Sequence, residues 1–169
     1  MGPSGALNPE LRAALLIASG DREALANITR GDDRASAAPL ARAQAHIALG
    51  DLDAARDLYE QYPTSPRPEV DELLNDDWTW RFPHSIYRGH LRLRYGDERG
   101  RDDLERMLTE ADRATDEGIV SADLTYWAAS ALAVLGRADE ARRQLATAQR
   151  QGWRHAWWQK VDWNLRALG

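Results

Sequence analysis

Two stretches of eleven residues constrain the fold of this chain more than any other feature of its sequence. Residues 49–59 and 135–145 both begin Leu-Gly, carry acidic residues after the glycine, and then place an alanine and a large apolar residue on one face of a second helical pattern. Glycine after an apolar helical pattern ends the helix, because it adopts the left-handed backbone conformation without a Cβ clash. Acidic residues in the first turn of the helix that follows are stabilised by the dipole of that helix. The two stretches therefore predict helical hairpins.

Turn glycines indicate that such hairpins recur along the chain. They lie 30 to 46 residues apart, and a small residue stands seven positions before each of them. Periods in this range are typical of stacked helical hairpins. Small residues at these positions let the two helices of a hairpin approach closely. The glycines are Gly20, Gly50, Gly96 and Gly136, and the small residues are Ala13, Ala43, Gly89 and Ala129.

Composition sets limits on the class of protein. The 169 residues are 43% hydrophobic and 29% charged, as in a folded domain. A net charge of −5 argues against a nucleic-acid partner, and the absence of cysteine excludes disulfides and thiolate metal sites. No apolar run reaches the length of a membrane span, and residues 1–5 do not resemble a signal peptide. We therefore expect a cytoplasmic protein with no membrane partner.

The pattern resembles the tetratricopeptide repeat, a pair of helices of 34 residues, in its bacterial form with a C-terminal closing segment. The second hairpin supplies Ala43, Gly50, Ala55 and Tyr59, and the fourth supplies Ala129, Gly136, Ala141, Leu145 and Ala148. The resemblance implies an all-α, right-handed solenoid of about four hairpins with a Trp-rich C-terminal cap. The chain departs from the family at Arg12, Arg42 and Arg88, where leucine is usual. Each arginine needs a carboxylate or must reach water.

The predicted organisation is a single TPR-like domain over residues 6–169, after a start that is disordered or a cloning remnant. Gly96 to Gly100 is predicted to be a long turn, with the next helix starting at Asp102 and Asp103. The hairpins are predicted at about 8–30, 38–62, 84–117 and 121–151, with an aromatic insertion at 63–83 and the cap at 152–169.

The family resemblance also implies that the first helices of the hairpins line a concave binding face. The candidate binding residues on it are Gln44, Tyr87, His90, Arg94, Tyr126 and Trp127. Aromatic groups with one or two cations suit an extended or helical peptide with an acidic or carboxylate end. The expected function is thus a non-catalytic adaptor or scaffold that binds a protein or peptide.

Catalytic patterns are absent from the sequence. The histidines have no metal-binding spacing, and the paired aspartates at 32–33, 76–77 and 102–103 stand where caps and turns are ordinary. We therefore expect no enzymatic activity, no cofactor and no bound metal.

The seven tryptophans leave one alternative open. Trp78 and Trp80 in the insertion either fill a gap left by an irregular third hairpin or form an aromatic surface over a groove. In the second case, Trp78, Trp80, His90 and Arg94 would line a pocket of a ligand-sensing or enzyme-accessory domain. Self-association through the exposed ends of a helical stack is a third possibility.

Overall fold

The computed structural model describes residues 8–61 and 84–168 of the chain, and these residues form helices and turns without any strand. The all-α prediction is confirmed for this part of the chain. The chain divides into two compact units, residues 1–61 and 62–169. None of the described helices is both long and apolar enough to cross a lipid bilayer. The insertion, including Trp78 and Trp80, lies outside the described residues.

The first unit contains two hairpins joined by a short 3-10 turn. Its helices α1 and α3 pack against each other, α2 packs against both of them, and α3 packs against α4. Its core is built from small and medium apolar side chains, among them Ala13, Leu25 and Ile28. The elements are α1 (Pro9–Ser19), α2 (Arg22–Arg30), the 3-10 turn (Arg34–Ala37), α3 (Pro39–Leu49) and α4 (Leu52–Glu60).

The second unit repeats this packing with longer helices and adds a C-terminal segment. Helix α5 packs against α6 and α7, α6 packs against α7, and α7 packs against α8. The last 3-10 helix lies on α5, α7 and α8. The elements are α5 (His84–Arg94), α6 (Arg99–Asp116), α7 (Ala122–Val134), α8 (Ala138–Arg150), α9 (Ala156–Gln159) and the 3-10 helix (Trp163–Leu168).

Helix ends follow the local signals in the sequence. Asn8 accepts hydrogen bonds from the backbone N–H groups of Glu10 and Leu11 and so caps α1. Gly50 and Gly136 have φ angles of 90° and 77°, in the left-handed region that the hairpin prediction requires. The predicted start of α6 at Asp102 is wrong, because the helix begins at Arg99. Gly100 lies inside its first turn, where it packs against α5.

Two of the three unusual arginines have a carboxylate partner, Arg12 with a partly exposed side chain and Arg88 with a buried one. Arg12 Nε and Nη2 donate to Asp33 across 2.9 and 2.6 Å, in the first unit. Arg88 Nε and Nη2 donate to Asp103 across 3.0 and 2.8 Å, in the second unit. Arg42 differs, since its buried Nε has no hydrogen-bond partner among the described residues. Of the two expected alternatives, a carboxylate or water, Arg88 has the carboxylate, and Arg12 has a carboxylate and also reaches water.

We expect Ala43→Leu to lower the free energy of unfolding of the first unit by about 1–3 kcal/mol, because overpacking forces neighbouring atoms apart. Ala43 is fully buried in α3, so the extra atoms have no space to occupy. Thermal unfolding followed by circular dichroism measures the effect. Ala18→Leu is the matched control, because Ala18 is exposed on α1. An unchanged melting temperature in Ala43→Leu would contradict close helix packing at this position.

Candidate functional site

The second unit brings together three of the six described residues that the sequence predicts for binding. Tyr87 and His90 on α5 and Tyr126 on α7 share one surface, which with Ser130 we call the α5–α7 face. This face is covered by the chain's own residues 153–168, the C-terminal segment.

The other predicted residues lie elsewhere. Gln44 is buried in the first unit, and its Nε2 donates to the Tyr59 hydroxyl across 2.9 Å. Trp127 is buried in α7 with its ring edge-on to Tyr126. Arg94 is exposed to solvent, whereas Trp78 and Trp80 fall outside the described residues. A pocket combining these tryptophans with His90 and Arg94 therefore has only two described members, and Trp163 stacks on one of them.

At the centre of the site lies the carboxylate of Asp162, which is 1% exposed. The Tyr87 hydroxyl donates to Oδ1 across 3.0 Å, and the Tyr126 hydroxyl donates to Oδ2 across 2.6 Å. The Ser130 hydroxyl also lies 3.3 Å from Oδ2, and the backbone N–H of Asn164 donates to Oδ1 across 3.0 Å. Four donors thus converge on one buried carboxylate, which is what a buried charge requires.

Burial controls the protonation of this cluster. It raises the pKa of Asp162, while the hydrogen bonds from Tyr126, the Asn164 backbone, Tyr87 and Ser130 oppose that rise. Burial also raises the pKa of Tyr126 well above its ordinary value, and the charge of Asp162 adds to the effect. The Tyr126 hydroxyl therefore keeps its proton and donates a hydrogen bond to the carboxylate.

A second polar contact pairs His90 with Asn164. The Nδ1 atom of His90 lies 2.9 Å from Asn164 Oδ1, so the neutral tautomer with a proton on Nδ1 donates this bond. Burial lowers the pKa of His90 to about 4, the bond to Asn164 opposes the shift, and the positive charge of Arg94 adds to it. His90 is thus a neutral donor at pH 7.

Aromatic rings hold the C-terminal segment on both helices. Trp163 stacks on His90 with ring centroids 3.7 Å apart, and Trp153 stacks on Tyr126 with centroids 4.0 Å apart. Stacked rings bury large apolar areas and fix the orientation of the residues between them. The face therefore holds a peptide segment through a carboxylate, a carboxamide and two aromatic rings.

Asp162 and Asn164, which make polar contacts between the segment and the face, are not among the residues that the sequence predicts. Their signal is a carboxylate and a carboxamide that flank Trp163 within an aromatic tail. The tryptophans of the C-terminal segment are residues of a type that is commonly buried, but aspartate is rarely buried. The residues next to Asp162 in the sequence do not indicate its burial.

The polar groups of the α5–α7 face are directed at the carboxylate of Asp162. Ser130 donates to Asp162 within the cluster, and both residues are buried. Among the described residues, no group of three or more histidine, aspartate or glutamate side chains could hold a metal ion. The chemistry that the face offers is hydrogen-bond donation to an anionic oxygen in a site that excludes water.

We expect His90 to make the second unit less stable in acid. The unfolded chain takes up a proton near the ordinary pKa of 6.5, whereas the folded state does so only near 4. The contribution of His90 is therefore fully present above pH 6.5 and is lost as the pH falls towards 4. The loss reaches up to about 3 kcal/mol, at about 1.4 kcal/mol per pKa unit.

Urea unfolding of the wild type and of His90→Gln at several pH values measures this contribution. The difference in unfolding free energy between the two chains isolates His90 from other titrating groups, including Asp162, whose raised pKa has the opposite effect. His84→Gln is a control for loss of a histidine from the same helix. A difference that stays constant from pH 7 to pH 4 would contradict a buried neutral His90.

Comparison with known proteins found no matching protein family, no matching curated protein and no matching solved structure.

Proposed function

We propose that this chain is a non-catalytic, TPR-like helical-repeat module that binds a protein or peptide segment and acts as an adaptor or scaffold. The proposal rests on one observation above all. The α5–α7 face holds the C-terminal segment, which forms a short helix and a 3-10 helix, through Asp162, with Tyr87 and Tyr126 as hydrogen-bond donors. The bound segment belongs to the chain itself, but the contacts are those that a separate acidic peptide would make.

The order of helix contacts supports the repeat proposal. In each unit the first helices of the two hairpins touch, and the second helix of one hairpin packs against the first helix of the next. Nearest-neighbour packing of this kind is typical of helical solenoids. The buried alanines at the repeated positions, Ala43 and Ala129, allow this close packing.

Selection from a displayed peptide library tests the proposal on the full-length protein. Recovered peptides are expected to contain aspartate or glutamate beside an aromatic residue, and their binding is measured by isothermal titration. NMR shift changes on adding a recovered peptide should fall on α5 and α7. Binding at this face would be contradicted if no peptide were enriched relative to a surface without protein. NMR shift changes confined to the first unit would also contradict it.

Copies of this chain could also associate with one another through the exposed ends of the helical stack, and this possibility has a separate test. Sedimentation equilibrium at several protein concentrations distinguishes a monomer from a reversible assembly.

A further inference from the structure

We propose that residues 155–168 are a tethered ligand of the α5–α7 face, and that a partner peptide of the same chemistry displaces them. The partner peptide would carry an aspartate and an asparagine on either side of an aromatic residue, as Asp162, Trp163 and Asn164 do. This inference depends on the proposed binding function and names both the occupant and its competitor.

The backbone of the segment is hydrogen-bonded within itself. Trp158 N–H donates to His155 O, Val161 and Asp162 N–H donate to Trp158 O, and Leu165 N–H donates to Asp162 O. Among the described residues, the last backbone hydrogen bond from this region to a preceding helix is from Trp153 to α8, at Ala148 O. Residues 155–168 can therefore leave the face without breaking any described hydrogen bond between their backbone and the backbone of the helices.

Side chains supply the described contacts between the segment and the face. Asp162 reaches donors on both α5 and α7, Asn164 reaches His90, and Trp163 stacks on His90. Near the end of the segment, Arg142 on α8 donates to the backbone oxygen of Leu168 across 3.1 Å. Contacts made by side chains over a few residues are those that a short free peptide can reproduce.

Docking of this region also leaves polar atoms without partners. Asn164 Nδ2 is buried and has no hydrogen-bond partner among the described residues, and the same is true of Trp153 Nε1 at the start of the C-terminal segment. An unpaired buried donor costs free energy, and exposure to water removes that cost. The docked state is thus less favourable than its aromatic contacts alone would make it, which lowers the free energy needed to release the segment.

The donors of the face define the competing peptide. Tyr87, Tyr126 and Ser130 converge on one carboxylate, so an apolar residue at the aspartate position removes the acceptor that these three hydroxyl groups share. His90 donates to the carboxamide oxygen of Asn164. A peptide that lacks either group should bind more weakly than one with both.

Hydrogen exchange on the unmodified chain tests whether the segment opens separately. Amides of residues 158–165 are expected to exchange at least tenfold faster than those in the centre of α7, with a weaker dependence on denaturant. Equal opening free energies with equal denaturant dependence would overturn the proposal, because the segment would then open only when the whole unit unfolds.

A labelled synthetic peptide of residues 155–168 tests whether the site can be filled from outside. Its binding to the full-length wild type and to the full-length Asp162→Ala chain is measured by fluorescence anisotropy. The wild-type tail competes at a high effective concentration, so the peptide should bind the Asp162→Ala chain at least tenfold more tightly. The same peptide carrying Asp162→Ala should bind neither chain.

The matched control is Asp116→Ala in the full-length chain, because Asp116 is exposed at the end of α6. It should bind the peptide as weakly as the wild type does. Two results would overturn the proposal, provided that the Asp162→Ala chain melts cooperatively and is therefore folded. Either the peptide binds neither chain, or it binds both chains with the same affinity. If Asp162→Ala does not fold, the hydrogen-exchange result on the wild type decides.

The two proposals fail in different ways. Library peptides that bind without increasing hydrogen exchange in residues 158–165 would support the binding function and overturn displacement of the tail. Binding of the chain's own peptide to Asp162→Ala, with no library peptide recovered, would support a detachable tail and contradict the binding of separate partners.

Discussion

Replacement of Asp103 by asparagine is expected to lower the free energy of unfolding of the second unit by about 3–5 kcal/mol, the usual cost of removing one partner of a buried ion pair. The side chains of Asp103 and Arg88 are only 5% and 7% exposed. A neutral asparagine side chain cannot replace the charge of Asp103, and Arg88 would stay buried between α5 and α6 without that contribution.

Two further arginines increase the expected effect. Arg92 Nη1 lies 2.8 Å from Asp103 Oδ2, and Arg106 Nη2 lies 2.5 Å from Oδ1. One carboxylate thus contacts three guanidinium groups, and its removal leaves like charges close together. Because the partners lie on both helices of the hairpin, the loss should weaken contact between α5 and α6.

Urea unfolding followed by tryptophan fluorescence measures this loss, since all seven tryptophans lie after residue 61. Asp102→Asn is the matched control, because Asp102 is the exposed neighbour in the same helix and loses the same charge. It should cost no more than about 0.5 kcal/mol, as exposed substitutions usually do. Equal effects at the two positions would show that the buried cluster adds little stability.

Gly100→Ala is expected to destabilise the second unit by about 3 kcal/mol, the upper part of the range for overpacking. A Cβ atom at Gly100 would lie 2.4 Å from the carbonyl oxygen of Gly89 and 2.8 Å from Arg92 Cβ. The nearest obstacle is backbone, so no side-chain rotation relieves the clash, and α5 and α6 must move apart.

The sign of this change is diagnostic. Alanine is the better helix former by about 1 kcal/mol, so the substitution would stabilise a helix with open space at this position. Calorimetry should instead show a melting temperature lower by on the order of 10 °C. Gly89→Ala should act in the same direction, because its Cβ would lie 2.9 Å from Gly100 O and from Leu104 Cγ.

Arg101→Ala is the control for Gly100→Ala. Arg101 is exposed in the same turn, and its ion pair with Glu98 is at the surface, where such pairs contribute little. It should change the melting temperature only slightly. A rise in melting temperature for Gly100→Ala would mean that the two glycines do not touch.

Part of the candidate site could be predicted from the sequence. Helical spacing and the family resemblance placed Tyr87, His90 and Tyr126 among the binding candidates, and the structure brings them to one carboxylate, directly or through Asn164. The position of Arg88 in the family pattern also implied that it meets a carboxylate or reaches water, and the structure gives it a carboxylate. The sequence did not indicate which carboxylate Arg88 meets. Asp103 belongs to the next helix, and its position there is typical of an acidic residue at the start of a helix.

The sequence by itself determined the helices and most of their ends, because capping side chains, glycines and apolar periodicity act within a few residues. Tertiary structure alone decided that Gly100 lies inside a helix, since its reason is contact with Gly89 on the neighbouring helix. It alone also decided that Asp162 fills the α5–α7 face. Its side-chain donors Tyr87 and Tyr126 stand 75 and 36 residues earlier in the chain, and no local pattern links groups that only packing brings together.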